Sequence, residues 1–233
     1  MPEKIYTIPV NEAFEKEDGC PFCALRGRFE EQTLSYTLGA AMMEPDVRAA
    51  MNASGFCSAH LAALHSMNNK LSLGLILESH LDELLAALSP EPSGGKKGVF
   101  SPRRDEKPDA CDSIGRFSES CFICRRTDEA EKRYLSNAVF LWSSDPAFRE
   151  KLRHRSFFCL THFSALLKTA KTELRAAEYA ELYTVMTGIE RERISALRAA
   201  VTQFNSSFDH RSSGAPLSPE ARSAIGDIRA LLR

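Results

Sequence analysis

Six of the seven cysteines fall into spaced pairs, and two histidines complete the pattern. Cys20-Pro-Phe-Cys23 is followed by Cys57-Ser-Ala-His60, and Cys121-Phe-Ile-Cys124 by Cys159-Leu-Thr-His162, with 33 and 34 residues between the pairs. Three thiolates and one imidazole form a donor set that closes a tetrahedron around Zn²⁺. Residues three apart at the start of a helix project from one side, so each pair acts as a two-armed clamp. The free N–H groups and dipole at that end favour thiolate. The expectation is two structural Cys3His sites, one in each copy of the pattern, and two zinc ions per chain. The first would join Cys20, Cys23, Cys57 and His60; the second would join Cys121, Cys124, Cys159 and His162. An iron–sulfur cluster is the runner-up, although most clusters take four cysteines. Buried free thiols acting as small hydrophobes are the plain alternative, and they leave the recurring histidine unexplained.

The elements that must position these residues also repeat. Phe56-Cys57-Ser-Ala-His60-Leu-Ala-Ala-Leu64 matches Phe158-Cys159-Leu-Thr-His162-Phe-Ser-Ala-Leu166, and Glu30, Leu34, Pro45 and Arg48 match Glu131, Leu135, Pro146 and Arg149. Each copy reads as helix, short helix, helix. Pro21 suits a first helical position, where its missing N–H costs nothing. Phe22, Leu25, Phe29, Thr33 and Tyr36 then form one apolar face up to about Met42. Pro45 opens a short helix that Gly55 caps. A third segment runs from Cys57 through Leu61, Leu64, Leu71, Leu75, Leu81, Leu84 and Leu88, with a break near Asn68-Asn69. In the second copy Asp145-Pro146 opens the short helix, and a long helix follows from about Leu160 to Phe208, interrupted at Gly188. Ile189, Arg193, Leu197, Ala200 and Phe204 keep one of its faces on a core, and Phe204 and Phe208 dock aromatics at its end. Ser218 and Pro219 then start a final helix with a stripe through Ile225, Ile228 and Leu232. Alternating strand patterns are nearly missing. The fold class is all-α, with two pseudo-repeated units and a long C-terminal helix. The units divide as 1–88, a Pro/Gly/Ser-rich linker over 89–118, 119–210, and a C-terminal helix over 211–233. The two repeats are expected to share one core.

Composition narrows the function. Hydrophobic residues at 43% and charged residues at 26% are those of an ordinary globular chain, which excludes a disordered one. Thirty Lys+Arg against 31 Asp+Glu leave no excess field for a polyanion, so no nucleic-acid partner is expected. No signal peptide or membrane-spanning run is read, which points to the cytoplasm, where closely spaced cysteines bind metal rather than pair. Four ligands per site argue against catalytic zinc, which keeps an open position. The phosphate-loop and hydrolase motifs are absent.

The other candidates have modest readings. Cys111 lies in the linker as a spare thiol. His65, His80, His154 and His210 read as solvated. Arg48 and Arg149 are expected to support helix ends or the sites.

Ile8-Pro9-Val10-Asn11-Glu12-Ala13-Phe14, Cys20-Pro21-Phe22-Cys23, Met43-Glu44-Pro45-Asp46-Val47-Arg48 and Gly55-Phe56-Cys57-Ser58-Ala59-His60 together resemble an uncharacterised bacterial family of Firmicutes type. Its members carry the same paired arrays. The resemblance implies a bacterial cytosolic protein and supports the eight ligands, and it brings no activity with it. The functional expectation is a zinc-stapled scaffold or binding module for an unknown protein or small-molecule ligand, with a homodimer as one arrangement. The alternative is a redox- or metal-responsive regulator that uses the same thiolates.

Overall fold

The computed structural model describes residues 4–16, 19–88, 110–208 and 216–233. Among them every regular element is helical, so the chain is all-α. The order is α1 (Thr7–Glu15), α2 (Pro21–Leu38), α3 (Pro45–Ser54), α4 (Ser58–Ser66), α5 (Lys70–Ala87), α6 (Ala110–Glu119), α7 (Phe122–Ser144), α8 (Pro146–Arg153), α9 (Leu160–Glu173), α10 (Ala176–Ser206) and α11 (Pro219–Leu231). Prolines open α2, α3, α8 and α11 at the position where no N–H is needed. Asp145 caps α8 by accepting from the Ala147 N–H at 2.9 Å, and Ser218 caps α11 by accepting from the Ala221 N–H at 3.2 Å.

Two compact units result. The first comprises residues 1–28 and 130–233, the second residues 29–129. These boundaries do not follow the sequence repeat: α2 and α7 each give their two ends to different units.

The first unit has an aromatic centre. Phe14 of α1 meets Phe22 of α2 at 5.6 Å between centroids, Phe148 of α8 at 4.7 Å and Phe158 at 6.1 Å. Trp142, Leu152, Leu166, Leu182 and Met186 are fully buried in the same unit. Helix α11 packs along α10, burying Ala221, Ala224 and Leu231. In the second unit Leu38, Met51, Leu64, Leu73, Ile76, Phe122 and Ile123 form one buried cluster. Gly55 ends α3 with φ +61°, and a Cβ there would approach His80 Nε2 to 2.6 Å, so both conformation and space demand glycine.

Several expectations need correction. Helix α1 was not foreseen; its Pro9 falls in the first turn, where the N–H has no helical partner in any case. The linker expected over 89–118 lies outside the described residues up to 109, and from Ala110 to Glu119 the chain is helix, with Cys111 in its backbone. The long helix breaks at Leu174-Arg175, where Leu174 and Arg175 are extended (ψ 157° and 153°), and α10 runs unbroken through Gly188. Helix α5 buries Ser72, Leu73 and Ile76, while Leu71, Leu81 and Leu88 are exposed. A leucine-rich helix offers more than one apolar face, and periodicity alone does not choose between them. For the same reason Ile225 of α11 and Leu232 just after it lie outward, and Phe208 is 75% exposed, touching Phe204 edge-on rather than a core.

Gly188 is exposed in mid-helix, and a Cβ there meets nothing within 4 Å. Gly188→Ala is therefore expected to stabilise the protein by about 0.5–1 kcal/mol. Denaturant unfolding checks this, and a destabilised variant would contradict a continuous α10.

Candidate metal centres

The eight residues converge as two groups of four, in each of which all ligand atoms lie within 4.8 Å of one another. The grouping differs from the expected one. Cys20 and Cys23 meet Cys159 and His162, whereas Cys57 and His60 meet Cys121 and Cys124. Each pair from one repeat is completed by a pair from the other. All of the first centre lies in the first unit and all of the second in the second.

Helix lengths explain why a repeat does not close on itself. At 1.5 Å per residue, α2 travels about 27 Å and α3 returns only about 15 Å. For α7 and α8 the figures are roughly 35 and 12 Å. Hydrogen bonds to backbone carbonyls support the exchanged grouping instead. In the second unit the Phe122 N–H donates to Gly55 O at 3.0 Å, and the Ser120 hydroxyl to Ser54 O at 2.7 Å, which sets the turn before Cys57 against the start of α7. In the first unit Arg155 donates to Gly19 O and sets the chain before Cys159 against the start of α2.

The donor spacing fits a single tetrahedral ion. Zn–S and Zn–N lengths of roughly 2.3 and 2.05 Å require edges of about 3.8 Å between sulfurs and about 3.6 Å from sulfur to nitrogen. In the first centre Cys23 Sγ lies 3.6 Å from Cys159 Sγ, and His162 Nδ1 lies 3.6, 3.4 and 2.9 Å from the sulfurs of Cys20, Cys23 and Cys159. In the second, Cys57 Sγ lies 3.9 Å from Cys124 Sγ, and His60 Nδ1 lies 3.2, 3.4 and 3.3 Å from Cys57, Cys121 and Cys124. These separations are far longer than a disulfide bond of about 2.05 Å, and all six cysteines are unbonded.

Proton affinities reflect anions crowded together. The Cys159 thiol, with Cys23, pulls the Cys20 thiol down, and Cys159, with Cys20, pushes Cys23 up. Burial, then Cys121, pushes Cys124 up to about 12. For Cys57, burial is outweighed by the His60 N–H and the neighbouring thiols, giving about 7. Burial is likewise overcome at His162, which Cys159 and Cys20 raise to about 11. A cluster that shares protons in this way is one in which a cation can take their place.

Both imidazoles turn Nδ1 to the cluster and Nε2 to a carboxylate. Glu30 Oε1 lies 2.9 Å from His60 Nε2, and Glu131 Oε1 lies 3.4 Å from His162 Nε2. The Glu30 contact is a hydrogen bond that fixes the tautomer and orients the ring, whereas Glu131 acts on its ring by charge at the longer distance. Glu131 is held in turn by Arg26, and Phe22 stacks on the His162 ring at 5.7 Å. The His162 N–H, against burial and with Arg26, lowers the Glu131 pKa. Sequence reasoning gave these two acids no role, although their recurrence 101 residues apart was the available signal. Glu131→Gln is expected to weaken metal binding at the first centre about 10–100-fold. Competition with a chromophoric chelator measures it. Glu30 is more exposed than Glu131, 37% against 16% of the side chain, so Glu30→Gln should cost less. Unchanged affinity in Glu131→Gln would contradict this role.

The remaining candidates lie elsewhere. Arg149 donates to Trp142 O and Ser143 O, supporting the end of α7, and Arg48 donates to Leu75 O and Ser79. His80 is not solvated as expected: its Nδ1 lies 2.6 Å from Asn52 O and its ring meets Phe117 edge-on. His65 and His154 are exposed, and His210 lies outside the described residues.

A family model described as a family of unknown function (DUF6062) matches residues 1–227. No curated protein and no solved structure matches the chain.

Proposed function

We propose, on the premise that this chain belongs to the DUF6062 family of unknown function, that it is a zinc-binding helical scaffold held by two structural Cys3His centres. The eight ligands are Cys20, Cys23, Cys159 and His162 in one centre and Cys57, His60, Cys121 and Cys124 in the other. The observation that carries the reading is the tetrahedral spacing of four donors, found twice, each with an imidazole backed by a carboxylate.

Zinc is favoured over an iron–sulfur cluster because the donors fit around one ion; cluster ligands sit on separate irons and stand further apart. Four protein ligands leave no open position for substrate, which supports a structural rather than catalytic metal. Unbonded thiols suit a reducing compartment, so we place the protein in the cytoplasm. No helix among the described residues is long and apolar enough to cross a membrane. The module's partner is a protein or a small ligand, with neither nucleic acid nor membrane involved.

Elemental analysis of protein purified anaerobically tests the reading. Two zinc ions per chain and no visible absorption are expected, as befits a d¹⁰ ion. A coloured protein containing iron and sulfide would overturn zinc, and a protein that takes up no metal would overturn both.

A further inference from the structure

The first centre is not sealed on every side. A cavity of about 420 Å³ opens beside it, lined by Cys20, Cys23 and Phe157 and by Gly226, Arg229, Ala230 and Arg233. That volume lies within the range of small-molecule sites. Of the three thiol ligands here, Cys20 and Cys159 are buried and Cys23 alone is half-exposed. Gly226, Arg229 and Arg233 recur at three- and four-residue steps, so α11 and the residues after it turn one face to the cavity. Gly226 and Ala230 keep that face low. Arg229 and Arg233 are exposed, and neither is ion-paired with a carboxylate among the described residues.

One wall is thus a soft metal–thiolate sulfur, and the facing wall carries two cations. A ligand that suits both has a thiol at one end and a carboxylate at the other.

We propose that this cavity docks a small thiol bearing a carboxylate, which exchanges with Cys23 on the zinc of the first centre. The inference rests on the zinc reading above. In the exchange the incoming thiol sulfur bonds to zinc as the Zn–Sγ bond of Cys23 breaks. The thiol proton moves to Cys23 Sγ, which leaves as a neutral thiol, and no electron is transferred. Cys20 and Cys23 both line the cavity, and Cys23 is the ligand that can leave because it is half-exposed where Cys20 is buried. The arginines hold the carboxylate and so raise the local concentration of the attacking sulfur. The first centre thereby becomes a point of zinc exchange with small acidic thiols.

The test uses zinc-loaded protein whose metal content has been measured, with a chromophoric chelator to report release. The probes are 3-mercaptopropionate, cysteamine and propionate, the two thiols being compared at equal thiolate concentration. 3-Mercaptopropionate is expected to release one zinc per chain about ten-fold faster than cysteamine, the scale of one or two charge-assisted hydrogen bonds. Propionate should slow it by competition. In Arg229→Ala/Arg233→Ala, which removes only exposed side chains, the two thiols should act alike. Equal rates in the native protein, or a preference that survives loss of both arginines, would overturn the exchange site and leave the zinc reading intact. Protein that holds no zinc at the outset would overturn both.

Discussion

Stripping both metal ions from the reduced protein with a strong chelator is expected to abolish its cooperative thermal transition. The magnitude follows from comparing two quantities. Structural zinc contributes apparent free energies of about 10–16 kcal/mol per site in small zinc domains near neutral pH. A whole folded domain holds only about 5–15 kcal/mol net. Each compact unit here contains one centre and depends on it for a connection between segments remote in sequence: 20–23 with 159–162, and 57–60 with 121–124. Without the cation, three crowded thiols and an imidazole remain, and the thiols no longer ionise together. Circular dichroism during heating should show loss of the sharp transition after chelation and its return on adding zinc. A metal-free protein that melts as before would remove the stapling role.

The second large effect is a difference between the centres. Cys159→Ser is expected to release one zinc and lower the melting temperature by more than about 10 °C, since roughly 4 kcal/mol corresponds to that shift in a chain of this size. Cys159 is 1% exposed, and its centre is walled by the aromatic cluster, with Phe22 stacked on His162 and Phe158 next in sequence. Losing this buried ligand leaves a polar serine at a site closed to water and strands the buried Cys20 and His162. In the second centre Cys57 itself is only half-buried, so water reaches the serine that replaces it. Cys57→Ser should release its zinc with a smaller drop in melting temperature. Equal losses, or a larger loss in Cys57→Ser, would contradict the ranking by burial.

Much of this architecture is legible in the sequence because it is written in local chemistry. Prolines at 21, 45, 146 and 219 mark where helices begin, and Asp145 and Ser218 supply their caps. The residue types and spacing single out the eight side chains that converge. What spacing does not carry is which pair meets which. Both groupings give the same donor set, and only the unequal lengths of α2 and α3, and of α7 and α8, speak against self-closure. Buried faces are hard to read for a related reason. Helix α5 has leucines around most of its circumference, so its burial of Leu73 and Ile76 rather than Leu71 and Leu81 is a tertiary choice. The break at Leu174-Arg175 carries no glycine or proline, whereas Gly188, the obvious breaker, sits in intact helix. Glu30 and Glu131 were visible as repeated acids, but their role emerges only once the imidazoles are seen to offer Nε2 to them.

The zinc content of two double variants tests the exchanged grouping most directly. Cys23→Ser/Cys159→Ser damages a single centre, so one zinc per chain should remain, held by Cys57, His60, Cys121 and Cys124. Cys23→Ser/Cys57→Ser damages both, so no zinc should remain tightly bound. Grouping within each repeat requires the reverse: no zinc in the first variant and one in the second would contradict the account.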